Sequence, residues 1–303
     1  MLDKSVKSGV FLALAAYSMW GFAPIYFKLL KDMPALEILM HRIVWSMVVL
    51  VLLVLITGHM PKVRSALKNR KVLSILLLSG VLLAGNWLLF IWAINSNHLL
   101  DASLGYYINP LLNVFLGRMF LGERLRSLQK VAVILALVGV VILIITFGQI
   151  PWIALTLAGS FGVYGLLRKQ VAVDSLPGLL LETAMMLPFA LIYWFWFAGE
   201  GSNLVSNDMG MNTLLLLAGV VTTAPLLCFT GAARRIKYST LGFFQYIGPS
   251  IMFILAVFLY GEPMSEARIV TFMFVWLALA LFSFDSFRDY LRQSKLRVKQ
   301  DLV

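Results

Sequence analysis

The sequence predicts an all-α polytopic membrane protein: ten transmembrane helices in two inverted five-helix repeats, with both termini cytoplasmic. Three observations carry this prediction. Of the 303 residues, 61% are hydrophobic and 13% charged, far outside the range of a soluble domain. The chain also repeats itself. Residues 107–123, YINPLLNVFLGRMFLGE, align without a gap on residues 246–262, YIGPSIMFILAVFLYGE, at an offset of 139. Tyr107/Tyr246, Ile108/Ile247, Pro110/Pro249, Leu116/Leu255, Gly122/Gly261 and Glu123/Glu262 are identical, and the same offset pairs Gly80 with Gly219 and Phe90 with Phe229. Finally, 20 of the 25 lysines and arginines fall in the two tails and in the loops of one face, whereas the other face carries only Lys28, Lys31 and Arg268. The positive-inside rule makes the basic face cytoplasmic.

At about 20 residues per span, the helices run 8–30, 35–57, 72–95, 102–121, 128–147, 151–168, 177–198, 212–233, 239–260 and 267–287. Helix one is a full span without an evident small-residue cleavage site, so it is expected to remain as a helix. Helix two carries Glu37, His41 and Arg42 in its outer part. Glu37 and His41 are four residues apart and share a face, which permits a proton-sensitive ion-pair cluster. Helix three places Asn86 and Phe90 on one face. In helix four Pro110 interrupts a stripe formed by Tyr106, Asn109 and Asn113. The charge-free stretch from Val131 to Leu167 is too long for one span, and FGQIP at 147–151 divides it into helices five and six. Helix seven holds Glu182 in its first turns; helix eight has Pro225 where helix three has Asn86; helix nine sets Gln245 beside Pro249. Residues 1–147 thus form the first repeat with its short tail, 148–287 the second, and 288–303 a basic tail. Five helices is an odd number, so the second half enters the membrane from the opposite side.

Each proline within a span withholds a backbone donor and frees a carbonyl, which in hydrocarbon must be met by protein or by water in a cavity. Pro110 and Pro249 fall at equivalent positions near mid-span, with amides beside them. Polar amides at that depth need a partner or water. The expected substrate-lining set is therefore Asn86, Phe90, Tyr106, Asn109, Asn113 and Gln245, an aromatic and amide pocket suited to a small organic solute. Interhelical hydrogen bonding is the competing role for these amides. Pro110, Pro225 and Pro249 are the expected kinks for gating. Glu37, His41 and Glu182 are candidates for ion coupling, with helix-end salt bridges as the alternative.

Other classes find no support. The basic residues mark topology and form no nucleic-acid-binding domain. Only His41, His59 and His98 exist, no HExxH or GxSxG motif occurs, and the Gly-Glu pairs at 122–123 and 261–262 read as helix-end turns. Catalysis, a metal site and a cofactor are not expected. Cys228 stands alone, so there is no internal disulfide. No Walker motif is present, and no ATPase subunit is implied.

WGFAPIYFK (20–28), GNWLLFIWAIN (85–95), LGYYINPLLNVFLGRMFLGER (104–124), PLLCFT (225–230) and LGFFQYIGP (241–249) through YGE (260–262) resemble the RarD permeases, in the EamA-type branch of the drug/metabolite transporter superfamily. The resemblance covers essentially the whole membrane region. It implies two inverted five-helix repeats in a bacterial inner membrane and the movement of small organic solutes, with a chloramphenicol-related phenotype. The expected protein is a secondary transporter or facilitator exporting metabolites or drugs, in contact with membrane lipids. Flipping of a lipid-linked substrate is the alternative within transport, and a non-transporting structural or regulatory subunit is the alternative outside it.

Overall fold

The computed structural model describes residues 4–30, 33–95, 99–148, 150–259 and 266–300, and among these every regular element is helical. His98 and the Gly261–Glu262 pair lie outside the described residues. The α-helices are α1 Lys4–Lys28, α2 Ala35–Ile56, α3 Met60–Leu67, α4 Arg70–Asn95, α5 Leu99–Leu121, α6 Ser127–Phe147, α7 Trp152–Gln170, α8 Ser175–Trp196, α9 Met209–Ala233, α10 Tyr238–Gln245, α11 Ile247–Ile254 and α12 Glu266–Gln300. Seven of them, α1, α2, α4, α6, α8, α9 and α12, are long and apolar enough to cross a membrane. The other predicted spans coincide with α5, α7 and the α10–α11 pair. These are less apolar or shorter for identifiable reasons: α5 contains Asn109, Asn113 and Arg118, α7 ends in Arg168–Lys169–Gln170, and α10–α11 is interrupted.

The observed elements depart from the predicted ones in three places. Helix nine is not continuous. Pro249 cannot donate to the carbonyl four residues back, and the chain stops at Gln245, restarts at Ile247 and passes into a π-helical segment over Leu255–Leu259. The second loop contains α3, which starts with Pro61 in its first turn and buries Val63 and Ala66. Finally, α12 does not end at 287 but runs 35 residues to Gln300, taking in most of the basic tail. At 1.5 Å per residue that is about 52 Å, well beyond a hydrocarbon core of about 30 Å, so its basic end stands clear of the apolar layer. Arg126, just before α6, fastens this helix through Nε to Asp285 Oδ2 at 2.5 Å.

Helix starts recur at the offset seen in the sequence. Arg70, Leu99 and Ser127 open α4, α5 and α6, and Met209, Tyr238 and Glu266 open α9, α10 and α12, each 139 residues later. Packing recurs with them. Mates pair directly in α6–α12, α5–α10 and α2–α8, while α2–α9 is matched by α8–α4, α1–α9 by α7–α4, and α5–α7 by α10/α11–α1. Lipid tails are as apolar as leucine, so close van der Waals fit and hydrogen bonds hold such helices together. At the junction of α1, α7 and α9, the rings of Tyr17, Trp20, Phe161, Tyr164 and Phe229 lie 5.1 to 6.3 Å apart, and each such pair contributes about 0.5–1.5 kcal/mol beyond simple burial.

The turns that follow α6 and α5 are among those that need glycine. Gly148 ends α6 at φ 77°, and Gly122 follows α5 at φ 63°, a left-handed geometry that costs other residues energy. The second turn folds the chain back so that Glu123 N donates to Gly117 O at 3.0 Å. The carboxylate then crosses to α10, accepting from Tyr238 N at 2.6 Å, Ser239 N at 2.9 Å and Ser239 Oγ at 2.7 Å. The sequence reading of a helix-end turn holds for Gly122, and Glu123 adds a cap on a helix of the other half. Glu123→Ala should destabilise the protein by about 1–3 kcal/mol, while Glu123→Gln should keep part of the bonding. Thermal unfolding of the detergent-solubilised variants tests this ranking, and equal midpoints for all three proteins would contradict it. At the start of α8, Lys62 and Arg234 each reach Asp174 at 2.7 Å. Hydrogen bonds from Lys62 and then Arg234 hold that carboxyl below its usual range.

Candidate functional site

A narrow cavity, with room for about one water molecule, lies among α2, α4, α8 and α9, two pairs of repeat mates. In this arrangement it is closed to a small organic ligand, whose sites measure about 300–1,000 Å³. Its wall is apolar, including Leu83, Trp87 and Leu226, with Thr183, Thr222, Thr223 and Arg42 as polar members. Arg42 is seven residues into α2, about 10 Å along its axis, and it turns toward α4 and α9. Its Nε donates to Thr222 Oγ1 at 2.8 Å, and its guanidinium lies 4.5 Å from the Trp87 ring centre and 5.4 Å from that of Phe27. Pro225 shapes this wall locally, because its missing N–H leaves the Val221 carbonyl, just before Thr222, without its helical partner.

The amides expected to line a solute pocket all make interhelical bonds in this structure. Asn86 Nδ2 donates to Leu157 O at 2.9 Å and to Ser160 Oγ at 2.8 Å, tying α4 to α7. Asn113 Nδ2 donates to Gln245 Oε1 at 3.1 Å, joining the two repeat-related helices α5 and α10. Asn109 reaches Ala158 O only at 3.4 Å. The Oδ1 atoms of Asn109 and Asn113 are buried without a partner, which costs free energy unless water or solute reaches them in another state. Phe90 and Tyr106 meet edge to face at 5.9 Å. Gly242 allows the α5–α10 approach, since a Cβ there would sit 2.8 Å from Pro110 O.

Glu37, His41 and Arg42 do not form one cluster. Glu37 accepts from Gly199 N at 2.9 Å and Ser202 Oγ at 2.5 Å, anchoring the connection between α8 and α9. His41 is fully buried, receives the Trp45 indole N–H at 3.3 Å on Nδ1 and meets Trp194 edge to face. Glu182 is also fully buried, not near solvent as its place in the first turns of a helix suggests. It lies 3.5 Å from Arg168 Nη1 and accepts from Ser79 Oγ, with its second oxygen unpartnered. Arg168 Nη2 donates to Ser175 O at 3.1 Å.

Sequence reasoning counted Arg168 only as a loop cation and Arg42 only as a neighbour of Glu37. The signal available for Arg168 was its place in the last turn of a span, opposite the start of the helix bearing Glu182. For Arg42 it was an arginine two turns inside a span, which is a functional position by default. Thr223 carried no signal at all.

The EamA-like transporter family matches residues 7–145. The chain is 55% identical to an uncharacterized transporter of Vibrio cholerae, over 94% of this chain and 95% of that one. It is 52% identical to Protein RarD of Escherichia coli, over 96% and 99%. A Pseudomonas aeruginosa relative named Chloramphenicol-sensitive protein RarD is 32% identical over 95% and 97%. One solved crystal structure shares the fold with a TM-score of 0.69 at 19% identity, covering 91% of this chain and 97% of its own. Identity sustained over almost the full length, together with the apolar helices, makes this chain a multi-pass membrane protein of the RarD type within the EamA-like transporter family.

Proposed function

We propose that the chain is a secondary transporter that exports small organic solutes across the bacterial inner membrane by alternating access. The observation that carries this reading is the cavity bounded by α2, α4, α8 and α9. A site shared by repeat-related helices can open to either face when the halves rock against each other. On this reading the chain has ten spans in inverted halves and both termini in the cytoplasm. Pro110, Pro225 and Pro249 are its bending points. Asn86, Phe90, Tyr106, Asn109, Asn113 and Gln245 line the path when the seam between α5, α7 and α10 opens, and the two orphaned amide oxygens support that role. The driving force is an ion gradient, with Glu182 the foremost coupling group; Glu37 and His41 are secondary candidates because their contacts tie loop and ring in place. The protein is not an enzyme. By analogy with the relative named for chloramphenicol sensitivity, altered expression should change sensitivity to that drug.

Reporter fusions after Ser206 and after Gln300 should give opposite signals, with the second cytoplasmic, and identical signals would remove the inverted topology. Function is tested by comparing metabolites exported by cells lacking and overproducing the protein, then measuring flux of the enriched solute in proteoliposomes. An inert purified protein would favour a structural or regulatory subunit. The Asn109→Leu, Asn113→Leu double variant should stay abundant yet lose transport by roughly tenfold or more, as expected when ligand contacts are removed. Cysteine substituted at 109 or 113 in a Cys228→Ser background should react with a water-soluble thiol reagent. A fully active double variant whose cysteine versions never label would eliminate that lining.

A further inference from the structure

We infer that Arg42 and Thr223 form the recognition site for the carboxylate of a small organic monoanion with an apolar body; this deepens the transport reading and rests on it. An arginine at the centre of a span costs about 2.5–3.5 kcal/mol on insertion scales, and arginines turned into a helix bundle pair with acidic groups or backbone carbonyls. Arg42 has no acidic partner: among the described residues no carboxylate pairs with it, and none of the residues lining the cavity is acidic. The contrast with Arg168, which is buried against Glu182, shows that this protein supplies a counter-ion where the cation is structural. The Arg42 contacts fix the head without neutralising it. Nε is used by Thr222, and the planar group rests against Trp87 and Phe27.

The second observation is independent. Thr223 is 1% exposed, lines the same cavity, and its Oγ1 has no hydrogen-bond partner. A buried hydroxyl left unsatisfied costs free energy that a bound acceptor would recover. The chemistry of the ligand follows from what is left over. With Nε engaged, the two terminal nitrogens of the guanidinium offer a planar fork that matches a carboxylate, and the hydroxyl supplies a third donor. A phosphate dianion would retain uncompensated charge in an otherwise apolar wall. A zwitterion would bring an ammonium group that meets no carboxylate. Ile43, Leu83 and Leu226 make the rest of the wall apolar, and the helices must part to admit more than a water-sized group, so an aliphatic or aromatic monocarboxylate satisfies the site in the state in which the cavity has widened.

Benzoate is the probe. Binding of radiolabelled benzoate to the purified full-length protein in detergent should be saturable, and excess benzamide, the neutral isostere, should not displace it. Arg42→Gln should weaken binding by roughly 10- to 100-fold, the equivalent of the charged hydrogen bonds lost, and Arg42→Lys should weaken it less. Thr223→Val removes no charge and leaves no orphan, so it should fold as well as the parent while binding several-fold more weakly; it decides the matter if Arg42→Gln fails to fold. Absence of saturable benzoate binding, equal displacement by benzamide, or undiminished binding in Thr223→Val together with a folded Arg42→Gln would each overturn the inference. The experiment measures binding without flux. Benzoate bound but never moved would defeat the transport reading alone, and export of another solute by a protein indifferent to benzoate would defeat the carboxylate site alone.

Discussion

Arg168→Met is expected to destabilise the folded protein by about 3–5 kcal/mol, the usual result of stranding one partner of a buried ion pair. Arg168 and Glu182 are both fully buried, with Nη1 and Oε1 3.5 Å apart. Among the described residues Ser79 is the only other group bonded to the carboxylate, through the same oxygen, and Oε2 has no partner. Removing the guanidinium would leave a carboxylate in an apolar interior with one hydroxyl to hold it. The Arg168→Met, Glu182→Gln double variant should recover most of the loss, because neither member then carries an unbalanced charge. Midpoints from thermal denaturation in detergent would show a large coupling energy between the two positions. If the single and double variants melt with the parent, the pair has no structural role. Glu182→Gln by itself addresses function. If Glu182 exchanges the coupling proton, this variant should keep solute counterflow and lose its response to a pH gradient; an unchanged response would leave Glu182 as the structural partner of Arg168.

The helices were legible because apolar runs of span length, broken by loops with charge or glycine, leave few alternatives in a bilayer. The 139-residue offset recurs in the observed helix starts, as in Leu99 and Tyr238, although the predicted spans begin at 102 and 239. Less legible was anything set by rotation about a helix axis or by contact between distant segments. His41 and Arg42 adjoin in sequence, but consecutive helical residues point about 100° apart; one faces Trp45 and Trp194 and the other Thr222. Asn113 and Gln245 were singled out as amides near repeat-related prolines, yet the sequence did not say that they bond to each other across 132 positions. The cavity draws on four helices, so no single stripe could reveal it. Nor did Pro249 alone predict the π-helical turn that follows α11.

Gly80→Ala and Gly219→Ala, the same substitution at identical repeat-related positions, are expected to have different effects: the second destabilises the fold and the first does not. At Gly219 a Cβ would lie 2.5 Å from the carbonyl carbon and oxygen of Trp45. Backbone cannot move aside as a side chain can, so α2 and α9 would be forced apart at a cost of about 1–3 kcal/mol or more. At Gly80 the nearest atom to an added Cβ is Glu182 O at 3.8 Å, an ordinary contact. Gly80→Ala should therefore melt within about 0.5 kcal/mol of the parent. The two glycines occupy the matching contacts α2–α9 and α8–α4, and the first is tight while the second is loose. Under alternating access, opening to the other face exchanges these environments, so α4 closes on α8 as α2 and α9 do now. An alanine at 80 would then meet backbone only in that state. Raising its free energy by a similar 1–3 kcal/mol would deplete it by roughly 5- to 150-fold, so a stable Gly80→Ala protein should transport poorly. The measurements are thermal midpoints in detergent and proteoliposome flux of the solute identified by the metabolite comparison. Parental flux from Gly80→Ala would show that the matched contacts do not exchange, and a mechanism in which one half stays fixed would have to replace rocking.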